Sequence, residues 1–312
     1  QFADMLSSGS PQIVGRQIGV LNNGESIHKF QLNAGIGKVL FKLSHDENSI
    51  LNFTIHKDGE DLTNFSHLTE SSYFKMKNVQ FPIIDNNFMN SQGEWTVNVT
   101  GESDKEFYLT CFADDHFLKY DCSLNKNIYQ VGDTMQFYVD LTYAGNALLS
   151  ENNSVEVVLF KPGEDIGHLL STYNTPDNAE EDSIDQFSDV QNKFLDLINN
   201  DTTFYKELLP DEQIITLNNQ GNGKFSGSYT NTNLTGIYQV LFRIKGEIPA
   251  KGKLEREKLL STVFQFAQID PEETTIETVI TQETTDPDKP SNQTAEVTIK
   301  PKNKYGKYLG PG

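Results

Sequence analysis

The chain has 312 residues, of which 36% are hydrophobic and 11% aromatic, with a formal charge of −19. That length holds two or three ordinary domains, and the apolar content is enough for real cores, which excludes a disordered chain. So acidic a surface repels phosphate backbones and anionic lipid, excluding nucleic acid as a partner. No apolar run approaches the ~20 residues of a membrane-spanning helix, so no membrane insertion is expected within this segment. The first residues, Gln1 to Met5, have neither the basic head nor the apolar stretch of a signal peptide.

Residues 1–18 read as the tail of a preceding domain or a linker. From 19 to 115 the dominant period is two. Val39, Phe41 and Leu43 alternate with their neighbours, as do Leu51, Phe53 and Ile55, then Trp95, Val97 and Val99, then Phe107, Leu109 and Cys111. Each run predicts a strand with one buried and one wet face, and Lys57-Asp58-Gly59 supplies turn chemistry between two of them. Strands this short and this evenly spaced predict a jelly-roll-like β-sandwich.

The segment Asp114-Asp115-His116 reads as a hinge into a second module, 116–269, of immunoglobulin-like size. Its strands are marked by Met135, Phe137, Val139 and Leu141, by Val155, Val157 and Leu159, by Tyr238, Val240, Phe242 and Ile244, and by the run from Leu260 to Phe266. A polar loop over 175–182 leads into a helical insertion over about 183–210. Ser183 with Gln186 forms its capping box, and Phe187, Val190, Phe194 and Leu197 form its apolar face. This insertion is expected to cover an open end or edge of the sheet. Asn222-Gly223 predicts a tight turn before the strand Lys224 to Tyr229. Residues 270–312 read as an acidic Thr/Pro linker, in which Ile276, Val279 and Ile280 suit an edge strand, followed by the first strand of a further module, Ala295 to Ile299. The fold class is therefore mainly β: tandem β-sandwich modules, the second with a small helical insertion.

Two cysteines, Cys111 and Cys122, stand eleven residues apart in strand-like runs. Either they pair in an oxidising compartment or they stay as buried free thiols. Asp114, Asp115 and Asp121 gather carboxylates at the module junction, the kind of hard oxygen set that binds calcium in extracellular rods; a hydrogen-bonded turn is the competing account. Of seven Asn-x-Ser/Thr sequons, the Asn-rich composition is the preferred explanation. Catalytic signatures are missing. No pair of histidines has the His-Glu-x-x-His spacing, and there is no Gly-x-Ser-x-Gly elbow, P-loop or Rossmann fingerprint.

Several stretches, in order, carry a family resemblance: Gln1 to Leu6, Gly93-Glu94-Trp95-Thr96-Val97, Ala113-Asp114-Asp115, Lys161 to Gly167, Asn222-Gly223-Lys224-Phe225, and Tyr305-Gly306 to Gly312. Together they resemble the region that follows a von Willebrand factor A domain in large secreted bacterial surface proteins. The resemblance implies that residues up to about Gly15 belong to a preceding A domain, that two sandwich modules follow, and that the end begins another repeat. It implies no binding site, since the Asp-x-Ser-x-Ser metal motif is incomplete at Asp121-Cys122-Ser123. The expected function is a non-catalytic adhesion or assembly segment at the cell surface, with a protein or glycan partner. A carbohydrate-binding module is the alternative, using Tyr73, Phe74 and Phe81 or Tyr108 and Phe112 as its platform; a hydrolase with an unfamiliar site ranks third.

Overall fold

The computed structural model describes residues 11–63, 66–80, 83–84, 87–88, 91–163, 194–209, 211–265, 268–283 and 292–306. The fold is mainly β. In the first half the strands are β1 Gln12–Val20, β2 Glu25–Leu32, β3 Lys38–His45, β4 Leu51–Lys57, β5 Glu60–Asp61, β6 His67–Glu70, β7 Phe74–Gln80, β8 Ile83–Ile84, β9 Asn87–Phe88, β10 Gly93–Gly101 and β11 Glu106–Asp114. One layer has the order β2-β10-β4-β5 and the other β1-β11-β3-β7-β6. The alternation seen in sequence decides which residues meet. Leu51, Phe53, Ile55, Val97, Val99 and Trp95 from one layer pack with Val39, Phe41, Leu43, Phe107 and Leu109 from the other, all essentially inaccessible to water. The Trp95 indole N–H is satisfied by the Ser91 carbonyl at 2.9 Å, so this large ring is buried without an orphaned donor.

The second half contains β12 Leu118–Leu124, β13 Ile128–Gln130, β14 Met135–Tyr143, β15 Asn146–Ala147, β16 Ser154–Lys161, then helices α1 (194–200) and α2 Thr202–Leu208. The strands β17 Asp211–Thr216, β18 Asn218–Gly221, β19 Lys224–Tyr229, β20 Gly236–Ile248 and β21 Gly252–Gln265 complete it. Its layers are β12-β14-β19-β18 and β17-β16-β20-β21, the latter extended by a parallel pairing of β13 with β21. Two hairpins turn as the sequence demands. Asp58-Gly59 and Asn222-Gly223 both hold positive φ at each central residue, the geometry that Asp-Gly and Asn-Gly reach at low steric cost.

Of the helical insertion, the part up to residue 193 lies outside the described residues, including the polar loop and the Ser183/Gln186 capping box. The Asp201 side chain caps α2 by accepting from the Thr203 and Phe204 N–H groups. Phe204 is fully buried and meets Phe194 edge-on. Val158 and Leu241 oppose each other on β16 and β20 and face away from the sandwich interior. They are nonetheless buried, so this outer face carries a cover.

Three expectations need correction, and one pair of alternatives is decided. Residues 12–18 are not a tail: β1 is a full strand of the first sandwich, paired along β11. Glycines at 15 and 19 had broken its alternation in the sequence. Nor are the modules separate bodies, because β1 also touches β21 at Ile13 and Glu257, joining one layer of each into a single ten-stranded sheet. The Thr-rich stretch is not a plain linker: β22 Thr275–Glu283 pairs residue for residue with β23 Asn292–Lys300. Finally, Cys111 and Cys122 are both free. Strand parity sends Cys111 into the first core and Cys122 into the second, so the thiols belong to different interiors. Burial pushes the Cys122 thiol up to about 12 and raises Cys111 as well.

Native protein should therefore leave both cysteines unreactive toward Ellman's reagent at neutral pH, and denatured protein without reductant should release the full colour of two thiols. Less than two on denaturation would show that the chain oxidises.

Candidate functional site

The junction between the sandwiches is held by a buried polar cluster. In β21 the even-numbered residues Leu254, Arg256, Thr262 and Phe264 are buried, with Lys258 between them exposed. A guanidinium on that side has no water to hydrate it and needs a carboxylate. Asp115, just past the end of β11, supplies it: an Arg256 Nη2 hydrogen bonds to Asp115 Oδ2 at 3.0 Å, with both side chains fully inaccessible. The fork is completed by three acceptors. Arg256 Nη2 also donates to Asn33 Oδ1, Nε to Gln12 Oε1 and Nη1 to the Glu255 carbonyl, each at 2.8 Å.

Asp115 is equally committed. Its Oδ2 accepts from Asn33 Nδ2 at 2.9 Å, and its Oδ1 accepts from the Phe117 and Leu118 N–H groups at 3.0 Å. Gln12 in turn donates to the Asp115 and Leu118 carbonyls. The cluster thus draws on β1, the end of β2, the β11–β12 corner and β21. Burial pulls the Arg256 guanidinium down from its ordinary value, and Asp115 opposes that shift.

The three acids expected to hold calcium are not assembled into a site. Asp115 is taken by Arg256 and two backbone amides. Asp114 sits at the end of β11 with its carboxylate 3.7 Å from His116 Nδ1. Asp121 is exposed on β12, opposite Asp140. Among the described residues no group of three or more His, Cys, Asp or Glu is arranged to hold a metal ion. The expected hinge is instead a locked corner.

Over the corner lies an open groove of about 530 Å³, lined in part by Gln12, Asp114, His116, Lys119, Tyr120 and Glu257. Burial pushes the Tyr120 phenol up to about 12. Burial also raises the Glu257 carboxyl, against the opposing pull of Arg243 and Arg16. Arg243 Nε lies 3.7 Å from Glu257 Oε1, while Glu257 Oε2 is buried without a hydrogen-bond partner.

A second cluster fixes the root of the β22–β23 hairpin to the second sandwich. Asp133 is almost fully buried. Burial would raise its carboxyl, but the Gln130 N–H, Lys126 and Tyr305 hold it down at about 2. Asn303, also buried, donates to the Val131 carbonyl at 3.3 Å. Gly132 lies beneath the Tyr305 ring at φ +93°, where an added Cβ would stand 2.8 Å from the ring.

Of the aromatic residues named from sequence, Phe81 lies outside the described residues. Tyr73 is exposed and donates to Glu47 at 3.0 Å. Phe74, Tyr108 and Phe112 share the outer face of the first sandwich, where Phe74 and Phe112 pack on buried Leu40 and Met76. Sequence reasoning missed Arg256, Asn33 and Gln12. For Arg256 a signal existed: it occupies the buried register of a strand and so required a buried acid.

No protein-family model matches the sequence, and no curated protein matches it. Among solved structures, a DUF4785 family protein from Legionella pneumophila is similar over 96% of this chain and 86% of its own, at 11% identity and a TM-score of 0.44. Bacillus licheniformis lipase BlEst2 in its propeptide form is similar over 79% of this chain and 40% of its own, at 11% identity and 0.38. An α-2-macroglobulin from E. coli is similar over 93% of this chain and 20% of its own, at 12% identity and 0.25.

Two outcomes test the corner. Arg256→Met leaves Asp115 buried and unpaired, and should cost about 3–5 kcal/mol in urea unfolding; adding Asp115→Asn, which keeps the Oδ1 acceptor, should restore part of it. Glu257 holds its proton more tightly folded than unfolded. Its contribution to stability is fully present below the unfolded carboxyl's value and lost as pH rises through the raised one. Glu257→Gln should remove that decline from the pH dependence of the urea midpoint, and a slope unchanged by the substitution would assign it elsewhere.

Proposed function

We infer that this chain is a non-catalytic, rigid interaction segment of a secreted or cell-surface protein, holding neighbouring parts at a fixed spacing and angle during adhesion or assembly. The observation that carries this reading is the Arg256–Asp115 pair with its Asn33 and Gln12 partners. Tandem modules linked by an exposed hinge reorient by default. Here reorientation would break a desolvated ion pair and leave each charge unpaired in the interior, at a cost of several kcal/mol. The shared sheet at Ile13 and Glu257 adds a second constraint in the same place. The acidic composition supports an extracellular setting, where high net charge keeps a large β-protein from self-association.

Residual dipolar couplings of the deuterated chain test the reading. A single alignment tensor should fit amides of both sandwiches in the wild type, and Arg256→Met should split it into two. Two tensors in the wild type would end the spacer reading.

A further inference from the structure

The long strand β21 is paired unevenly along its two edges. On one side β20 runs against it from Gly252 to Phe264. On the other, β1 meets it at Glu257 and β13 meets it from Val263 to Gln265. Between those contacts, over residues 258–262, no strand pairs with that edge among the described residues. The gap spans about 17 Å at ordinary strand rise. β1 does not carry a full ladder into it, because Pro11 stands at its start without an N–H. A backbone edge left open in this way is a template for a further strand.

The side chains at the gap say which strand fits. Lys258 stands opposite fully buried Phe242 and so occupies the inward register of β21, yet it is exposed. The sandwich is open at this point, and the corner groove, with Lys119, Tyr120 and Lys258 in its lining, leads to it. The acids of that lining already have cations. Asp114 faces His116, Asp115 is held by Arg256, and Glu257 faces Arg243. Asp121, further along β12, is outside the lining. Lys119 and Lys258 have no acidic partner among the described residues. The complementary strand is therefore one that sets a carboxylate opposite Lys258. Bounded by β1 at one end and β13 at the other, the gap excludes the long edge of another folded sheet and admits a short extended peptide. Directly opposed residues share a face. An antiparallel peptide on the line of β1 thus sets its first, third and fifth residues against Thr262, Leu260 and Lys258.

We propose that the open edge of β21 binds an extended peptide of about five residues as an added strand, with an acidic side chain paired to Lys258. This goes beyond the spacer reading and does not depend on it.

The probe is the capped peptide Thr-Thr-Val-Thr-Glu, titrated to millimolar concentration into the full isotope-labelled chain and followed by amide chemical shifts. The shifts should centre on residues 257–262 of β21 and 118–121 of β12. Lys258→Gln should lower the affinity about fivefold, the scale of one exposed charge pair. Replacing the peptide's Glu with Gln should cost the wild type as much and the variant nothing further, which isolates the pair. A peptide with proline at its three central positions should not bind, since it brings no N–H to the ladder. Lys253→Gln, at an exposed position near the start of β21, should change nothing. Unfolding midpoints check that the variants remain folded. No shifts at these amides, losses that add without coupling, or binding of the proline peptide would each overturn the proposal. The dipolar-coupling measurement reads module orientation alone, so the two ideas fail separately.

Discussion

A guanidinium withdrawn from water tolerates few arrangements. Arg256 has five N–H donors and no exposure, and the corner between the sandwiches is shaped around satisfying them. Its carboxylate partner comes from the residue that ends the first module, its amide partners from the strands that open that module, and the arginine itself from the last long strand of the second. No pair among these is close in sequence. The cluster therefore forms only when both modules have folded and met in one orientation, which makes it a specification of geometry more than a source of stability. Replacing such a pair with apolar groups is often neutral; breaking it is not.

The same logic explains why β1 was hard to read. Its inward side is occupied by Gln12, Gly15 and Gly19 as well as Val14, so it lacks the apolar alternation that announced β4 or β10. Its register also shifts between Ile13 and Gly15, turning the strand from the polar junction to the first core. A strand whose role is to serve two sheets cannot carry the simple pattern of a strand that serves one. By contrast, strands lining a single core were legible throughout: Trp95, Val97 and Val99, or Met135, Phe137 and Val139, are buried as their period predicts. The Asp58-Gly59 and Asn222-Gly223 turns were legible because the backbone there restricts residue type on its own.

The site was legible only in part. Asp114 and Asp115 mark the junction in the sequence, but the chemistry of Asp115 depends on a residue 141 positions away. Read locally, neighbouring acids suggest a cation from solution; the fold supplies its cation covalently. The two thiols teach the converse. Eleven residues of separation placed Cys111 and Cys122 near each other along the chain, yet the corner between them sends each into a different core. In both cases the missing information was which way the chain turns at Asp115.

That turn also separates the outer surfaces of the two modules. Tying β1 to β21 makes one long sheet whose outer face passes from the first sandwich to the second. On the second, Val158 and Leu241 are buried beneath a cover, whereas on the first, Tyr108 and Ile18 stay open. The hairpin β22–β23 adds a further exposed element, with Ile276, Ile280, Val297 and Ile299 on one side and its root clamped at Asp133 by Tyr305. Because the corner and the clamp both resist reorientation, each of these surfaces faces a set direction relative to the others. That fixed arrangement traces to charges that the interior does not allow to separate.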